Sequence, residues 1–140
     1  MKTIRFVLFT MLFAFFANTA SSFSQIRFSK HGEEDGLKIE NRWRRSNFFN
    51  KNSDAVLIIK LTNTNTYAVN AKLSVGFYRD GILAFSSEEQ TVCLEPGQVK
   101  RGFQTNFRFT AEGITIAETH EDNFSWDFAT VEIIRVEKCK

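Results

Sequence analysis

Ala55–Phe103 reads AVLIIKLTNTNTYAVNAKLSVGFYRDGILAFSSEEQTVCLEPGQVKRGF, and its pattern decides the fold. Ala55 to Thr62 begins apolar on both faces, as a strand in the middle of a packed sheet does. Lys60 and Thr62 then turn outward, which places Leu57, Ile59 and Leu61 inward. After an Asn63–Tyr67 turn, Val69, Ala71, Leu73, Val75 and Phe77 alternate with Asn70, Lys72, Ser74, Gly76 and Tyr78. Strict period-two alternation is the mark of a strand with one buried face. Asp80-Gly81 predicts a hairpin. A three-residue loop, Arg79-Asp80-Gly81, would set Phe77 opposite Leu83 and Val75 opposite Phe85, with every large apolar residue on one face. Glu95-Pro96-Gly97-Gln98 has the Pro and Gly positions of a type II turn.

Working outward, Leu37–Arg45 (LKIENRWRR) alternates with Leu37, Ile39 and Trp43 on the inner face. A short strand is expected at Ile26–Ser29, followed by a charged loop from His31 to Gly36. Ser46–Asp54 is an Asn-rich loop. Beyond the Pro96-Gly97 turn, a long strand is expected over Val99–Phe109, a turn over Thr110–Gly113 and a weaker strand over Ile114–Thr119. Phe124, Trp126 and Phe128 share one parity, and Val131 and Ile133 the other. That switch predicts a bulge near Ala129. The expected fold is all-β: a single antiparallel immunoglobulin-like β-sandwich of about seven or eight strands.

Residues 1–24 have the composition of a secretory signal peptide. Lys2 and Arg5 precede the apolar run Phe6–Ala17, and small and polar residues follow. A run of twelve residues is too short for a membrane span, which needs about 20. Cleavage after Ser24 would leave Gln25 first, and residues 25–140 as the β-sandwich domain, secreted or periplasmic. Without Lys2 and Arg5, 18 − 2 = 16 basic residues face 16 acidic ones. A neutral chain gives no reason to expect nucleic-acid binding. Cys93 and Cys139 are the two cysteines, and in an oxidising compartment they are expected to pair. Cys93 must then point away from the core, because Val92 and Leu94 look inward.

The central stretch resembles the immunoglobulin-like modules of bacterial exported proteins, of the FxLYD and CARDB type. The likeness rests on Leu61-Thr62-Asn63, on Asn70 leading the alternating strand, and on Phe77-Tyr78 before Asp80-Gly81. Leu94-Glu95-Pro96-Gly97, leading to a strand that ends at Phe103, completes it. It covers about a third of the chain. The resemblance implies a sandwich fold and a non-enzymatic accessory or binding domain, and it carries no catalytic residues.

No catalytic motif stands out. There is no G-x-S-x-G, and His31 and His120 both sit in polar stretches. A hydrolase with an unrecognised site is therefore the least favoured reading. His120-Glu121-Asp122 and the acids around His31 lack zinc or EF-hand spacing, so no metal and no cofactor are expected. Asn123-Phe124-Ser125 matches a glycosylation sequon, and a bacterial origin would make it a chance match. Two features remain as binding candidates. Arg42 and Arg44 share the outer strand face and could grip a phosphate, sulfate or uronic acid, or could simply guard an edge strand. Phe48 and Phe49 lie in the Asn-rich loop. Burial as a plug over the sandwich end is the ordinary expectation for such a pair, and exposure would suit sugar or protein contact. The expected function is a small exported binding module without catalysis, its partner a protein or an extracellular glycan. The alternative is a structural or adhesive subunit pairing through an exposed edge such as Ile114–Thr119.

Overall fold

A computed structural model describes residues 28–102 and 107–140. The expected signal segment, the Gln25 start and the first two residues of the Ile26–Ser29 strand lie outside the described residues, as does Phe103. Among the described residues, nine strands form two antiparallel sheets. The first contains β1 (Ser29–Glu34), β2 (Leu37–Arg45), β3 (Asp54–Asn63), β7 (Val99–Arg101) and β8 (Arg108–Thr115). Strands β1, β2 and β3 lie side by side, and β7 and β8 share the far edge of β3. In the second sheet β4 (Ala68–Arg79) is central. It pairs with β9 (Phe124–Val136) on one side and with β5 (Ile82–Ser86) and β6 (Gln90–Leu94) on the other.

The core lies between the sheets. Leu57, Ile59 and Leu61 of β3 face Leu73, Val75 and Phe77 of β4, and all six are buried. Phe107 and Phe109 close one side, and Trp43 packs its ring 6.0 Å from Phe77. Inner-face burial thus follows the alternation of the sequence, since a strand with one wet face must send successive side chains to opposite sides.

Bulges and turns depart from or refine the expected plan. The bulge near Ala129 is present: Ser74 pairs with Thr130 and Val75 with Phe128, leaving Ala129 as the extra residue. The charged stretch His31–Gly36, expected as loop, is instead mostly strand β1, joined to β2 through Asp35 (φ 45°) and Gly36 (φ 71°). Left-handed φ at both central residues makes the tight hairpin turn that suits twisted strands. A shift between Lys30 and Gly32 leaves His31 unpaired, and its ring stacks 4.7 Å from Trp126 across the open flank of the sandwich. Cross-strand pairing and this stacking hold a segment whose local composition reads as loop.

The β4–β5 turn is also shorter than expected. Asp80 (φ 53°) and Gly81 (φ 75°) form a two-residue loop, with Arg79 opposite Ile82 and Tyr78 opposite Leu83. Phe77 still meets an inward aromatic, Phe85, because Ala84 bulges out of register. The bulge restores the core pairing that the tight turn alone would lose. Leu83 is released to the outer face, where it packs beside Tyr78 over Gly76. At Glu95–Gln98, Gln98 N–H donates to the Glu95 carbonyl at 3.0 Å and Gly97 takes φ 70°, as a type II turn requires.

Thr110–Gly113 is not a turn. β8 runs through it to Thr115, with an irregularity opposite Asp54–Ala55 and Gly113 at φ 72°. Ile114–Thr119 is not a strand edge either: only its first residues are strand, and Glu118–His120 is a single 3-10 turn. Glu118 shapes that segment. It accepts from Thr115 N–H and Thr115 Oγ1, both at 2.8 Å, and from Arg79 Nη2 at 2.8 Å.

Candidate binding surface

Cys93 and Cys139 are joined, with Cα atoms 5.6 Å apart, within the range a disulfide spans. Cys93 lies opposite Asn70 on the outer face of the second sheet, so the bridge pins the C-terminus there. Cys139 N–H also donates to Glu95 Oε1 at 2.9 Å. Among the described residues no group of three His, Cys, Asp or Glu side chains gathers as a metal site would. No described helix is long and apolar enough to cross a membrane. His31 and His120 lie apart, the first on Trp126 and Phe128, the second in the 3-10 turn.

Phe48 and Phe49 are not a plug. They are 74% and 92% exposed, with rings edge to face at 5.6 Å. The loop that carries them is tied internally. Ser46 N–H donates to the Asp54 carbonyl at 2.8 Å and closes its base. Asn47 Oδ1 accepts from Phe49 N–H at 3.0 Å, and Asn50 Oδ1 accepts from Asn52 N–H at 3.0 Å. Ser53 Oγ accepts from Asn47 N–H and makes further hydrogen bonds to the Asn47 and Asn50 carbonyls. The polar residues that read as generic loop punctuation therefore satisfy the loop's own backbone. With those groups paired locally, the loop has no need of the core, and the two rings are left in water.

Arg42 and Arg44 do share the outer face of β2, as the sequence predicts, while Trp43 points inward. β2 lies between β1 and β3, and the described β1 ladder ends with Ser29 opposite Asn41, short of both arginines. Arg42 lies half-buried, its guanidinium 4.7 Å from the centre of the Phe28 ring, with Lys60 Nζ 5.7 Å from the same ring. Burial, and then repulsion from Arg44 and Arg101, lowers the Arg42 pKa. Glu40 sits among these cations. Lys60 Nζ approaches its carboxylate at 2.6 Å and Lys38 Nζ at 3.8 Å. The Lys60 hydrogen bond first, aided by the charges of Lys60, Lys38 and Arg101, holds Glu40 below the usual carboxylate range against its desolvation.

The β2–β3 hairpin thus carries all four candidate residues. Arg42 and Arg44 lie on its outer face, and Phe48 and Phe49 at the loop that ends it. Arg101 is the addition that sequence reasoning missed. It is brought opposite Lys60 by a pairing of strands about forty residues apart, which no local pattern reveals. Fold and surface together define a disulfide-linked β-sandwich with an ordered aromatic loop. Comparison with protein-family models, curated proteins and solved structures returns no match.

Proposed function

We propose that this protein is an exported, non-catalytic β-sandwich module that works by binding, with a protein or a surface glycan as its partner. One observation carries the reading: a loop ordered by its own hydrogen bonds holds Phe48 and Phe49 in water. Burying a Phe side chain is worth about 1.5–3 kcal/mol, so displaying two of them sacrifices stability unless a partner covers them. Because the loop is already ordered, covering the rings costs little further conformational entropy. The limited likeness to exported accessory modules and the disulfide both agree with this reading.

Binding of labelled protein to washed cell envelopes tests it. Phe48→Ala/Phe49→Ala should lose at least tenfold in affinity while its circular dichroism stays unchanged. Binding equal to that of the unaltered protein would overturn the reading.

A structural subunit is the second reading. The observation favouring it is β9, thirteen residues long and, among the described residues, paired only with β4. A concentration-independent monomer by light scattering would count against it.

A further inference from the structure

The chain expected after signal removal is neutral, yet its charge is not evenly spread. Strand register sorts the outer face of the first sheet into cross-strand rows. One row holds Lys30, Glu40, Lys60 and Arg101, each paired with the next. The adjacent row holds Arg42, Ile58 and Arg108, and the one after it Arg44, Val56 and Thr110. Across these three rows, six cations face one carboxylate, and Glu40 is already held by Lys60. On the outer face of the second sheet, Lys72 lies within 3.5 Å of both Glu89 and Glu132 and is outnumbered by them. Around Lys72 the outer face of the second sheet is therefore acidic where these rows of the first sheet are basic.

Six like charges on one face repel one another, and burial first, then repulsion from Arg44 and Arg101, lowers the Arg42 pKa. Folding tolerates this because Val56 and Ile58 lie buried beneath the long side chains and the chain at Gly102, so the stems contribute packing. Alternate residues along a strand lie about 6.8 Å apart and neighbouring strands about 4.8 Å apart. Such a grid can meet successive charges of an extended polyanion, and guanidinium groups pair with carboxylate and sulfate in a bidentate fashion.

We propose that the outer face of the β1–β2–β3–β7/β8 sheet binds an acidic polysaccharide, through Arg42, Arg44, Lys60, Arg101 and Arg108. This rests on the binding-module reading and names a ligand class for a surface beside the aromatic loop. A polysaccharide is favoured over nucleic acid on two grounds. Single-stranded nucleic acid is held largely by stacking on exposed aromatic rings; among the described residues the ring seated within this face, Phe28, is already covered by Arg42 and Lys60, and the exposed Phe48 and Phe49 stand at the end loop and not among the cations. The cystine also fits an oxidising compartment, where surface glycans are the abundant polyanions.

The test measures binding of the full mature chain to dextran sulfate, polygalacturonate, neutral dextran and a 20-base-pair DNA duplex, at low and at raised salt. The protein should bind both acidic polysaccharides, ignore neutral dextran, and weaken as salt rises. Arg44→Glu/Arg108→Glu changes two exposed positions and should weaken binding at least tenfold. Lys138→Glu/Lys140→Glu makes the same change in net charge at the C-terminus and should stay within about twofold. Circular dichroism of each variant verifies the fold, and Arg44→Gln/Arg108→Gln serves if charge reversal destabilises it. Equal losses in the two Glu pairs would overturn the proposal, as would no binding to either acidic polysaccharide. DNA bound more tightly than both would replace the ligand class. Envelope binding that still depends on Phe48 and Phe49 would then leave the module reading standing without this one.

Discussion

Asn63 shows how much one residue decides here. It is fully buried, and its side-chain amide donates to the Tyr67, Leu94 and Glu95 carbonyls at 2.9–3.2 Å. Its Oδ1 accepts from Asn65 N–H at 3.0 Å, and its own carbonyl accepts from Gly97 N–H at 2.9 Å. A polar side chain is stable in such a place only when its hydrogen-bonding capacity is filled, and this one joins the β3–β4 turn to the β6–β7 turn. Gly36 is fixed nearby for a different reason. It takes φ 71°, and a Cβ there would collide with the Asn65 side chain, which donates to the Asp35 carbonyl at 2.8 Å. Inner and outer positions of β4 differ just as sharply. Leu73 is wholly buried, whereas Asn70 lies on the outer face opposite Cys93. Leu73→Ala should cost about 2–5 kcal/mol through lost transfer energy and the cavity left behind. Asn70→Ala should cost within about 0.5–1 kcal/mol. A urea titration compares the two, and equal shifts in midpoint would contradict the facing of β4.

At the scale of elements, the β8–β9 connection is organised by a carboxylate. Glu118 is held at about 2 by the Thr115 backbone N–H first, then by the Thr115 hydroxyl and the Arg79 guanidinium. A carboxyl whose pKa is lower folded than unfolded binds its proton more readily in the unfolded chain. Its contribution is therefore complete above about pH 4.5, the ordinary value, and is lost as pH falls from there toward 2. Glu118 is solvent-accessible, so the effect is local and modest. The connection should loosen across that window, read as falling amide protection factors around Thr115–His120, with the pH dependence of intrinsic exchange divided out. Glu118→Gln should remove the pH dependence of protection and leave it already low at pH 7. Protection factors that stay constant from pH 7 to 2 in the unaltered protein would contradict the role given to Glu118. The hairpins behave differently, because tight turns with left-handed φ at Asp35-Gly36 and Asp80-Gly81 leave their register to bulges at His31 and Ala84. At Ala84 the extra residue keeps Phe85 facing Phe77 while the turn stays short, and at His31 it frees the ring to stack on Trp126.

For the whole molecule, the Cys93–Cys139 bridge closes a loop of 46 residues and holds the end of the chain to the second sheet. Its Cα separation is ordinary, so the bridge is expected to stabilise by constraining the unfolded chain, at about 2–4 kcal/mol. Cys93→Ser/Cys139→Ser should lower the unfolding free energy by that amount, seen as a lower guanidinium midpoint, and a reducing agent should do the same to the unaltered protein. An unchanged midpoint in both experiments would show that the bridge adds nothing. The sandwich also separates its contact features. Phe48 and Phe49 stand at one end, the cations of the first sheet lie on one broad face, and the disulfide lies on the other.

The layered all-β fold, the inner faces of β2, β3, β4 and β6, the type II turn, the Ala129 bulge and the cysteine pairing are all legible in the order of residues alone. These depend on period-two alternation, on residues with special φ and on there being two cysteines, all of which are local or countable. Only the tertiary structure decided that His31–Glu34 is strand, because ladder partners and the stacking on Trp126 override loop-like composition. It alone decided that Asp80-Gly81 closes a two-residue turn, since the compensating bulge at Ala84 answers to the packing of Phe85 on Phe77. It also exposed Phe48 and Phe49, whose apolar character reads as core, because the loop around them satisfies its own backbone and needs no burial. And it set Arg101 and Arg108 beside Lys60 and Arg42, since a charged face is created by strand pairing between segments distant in the chain, which no local pattern contains.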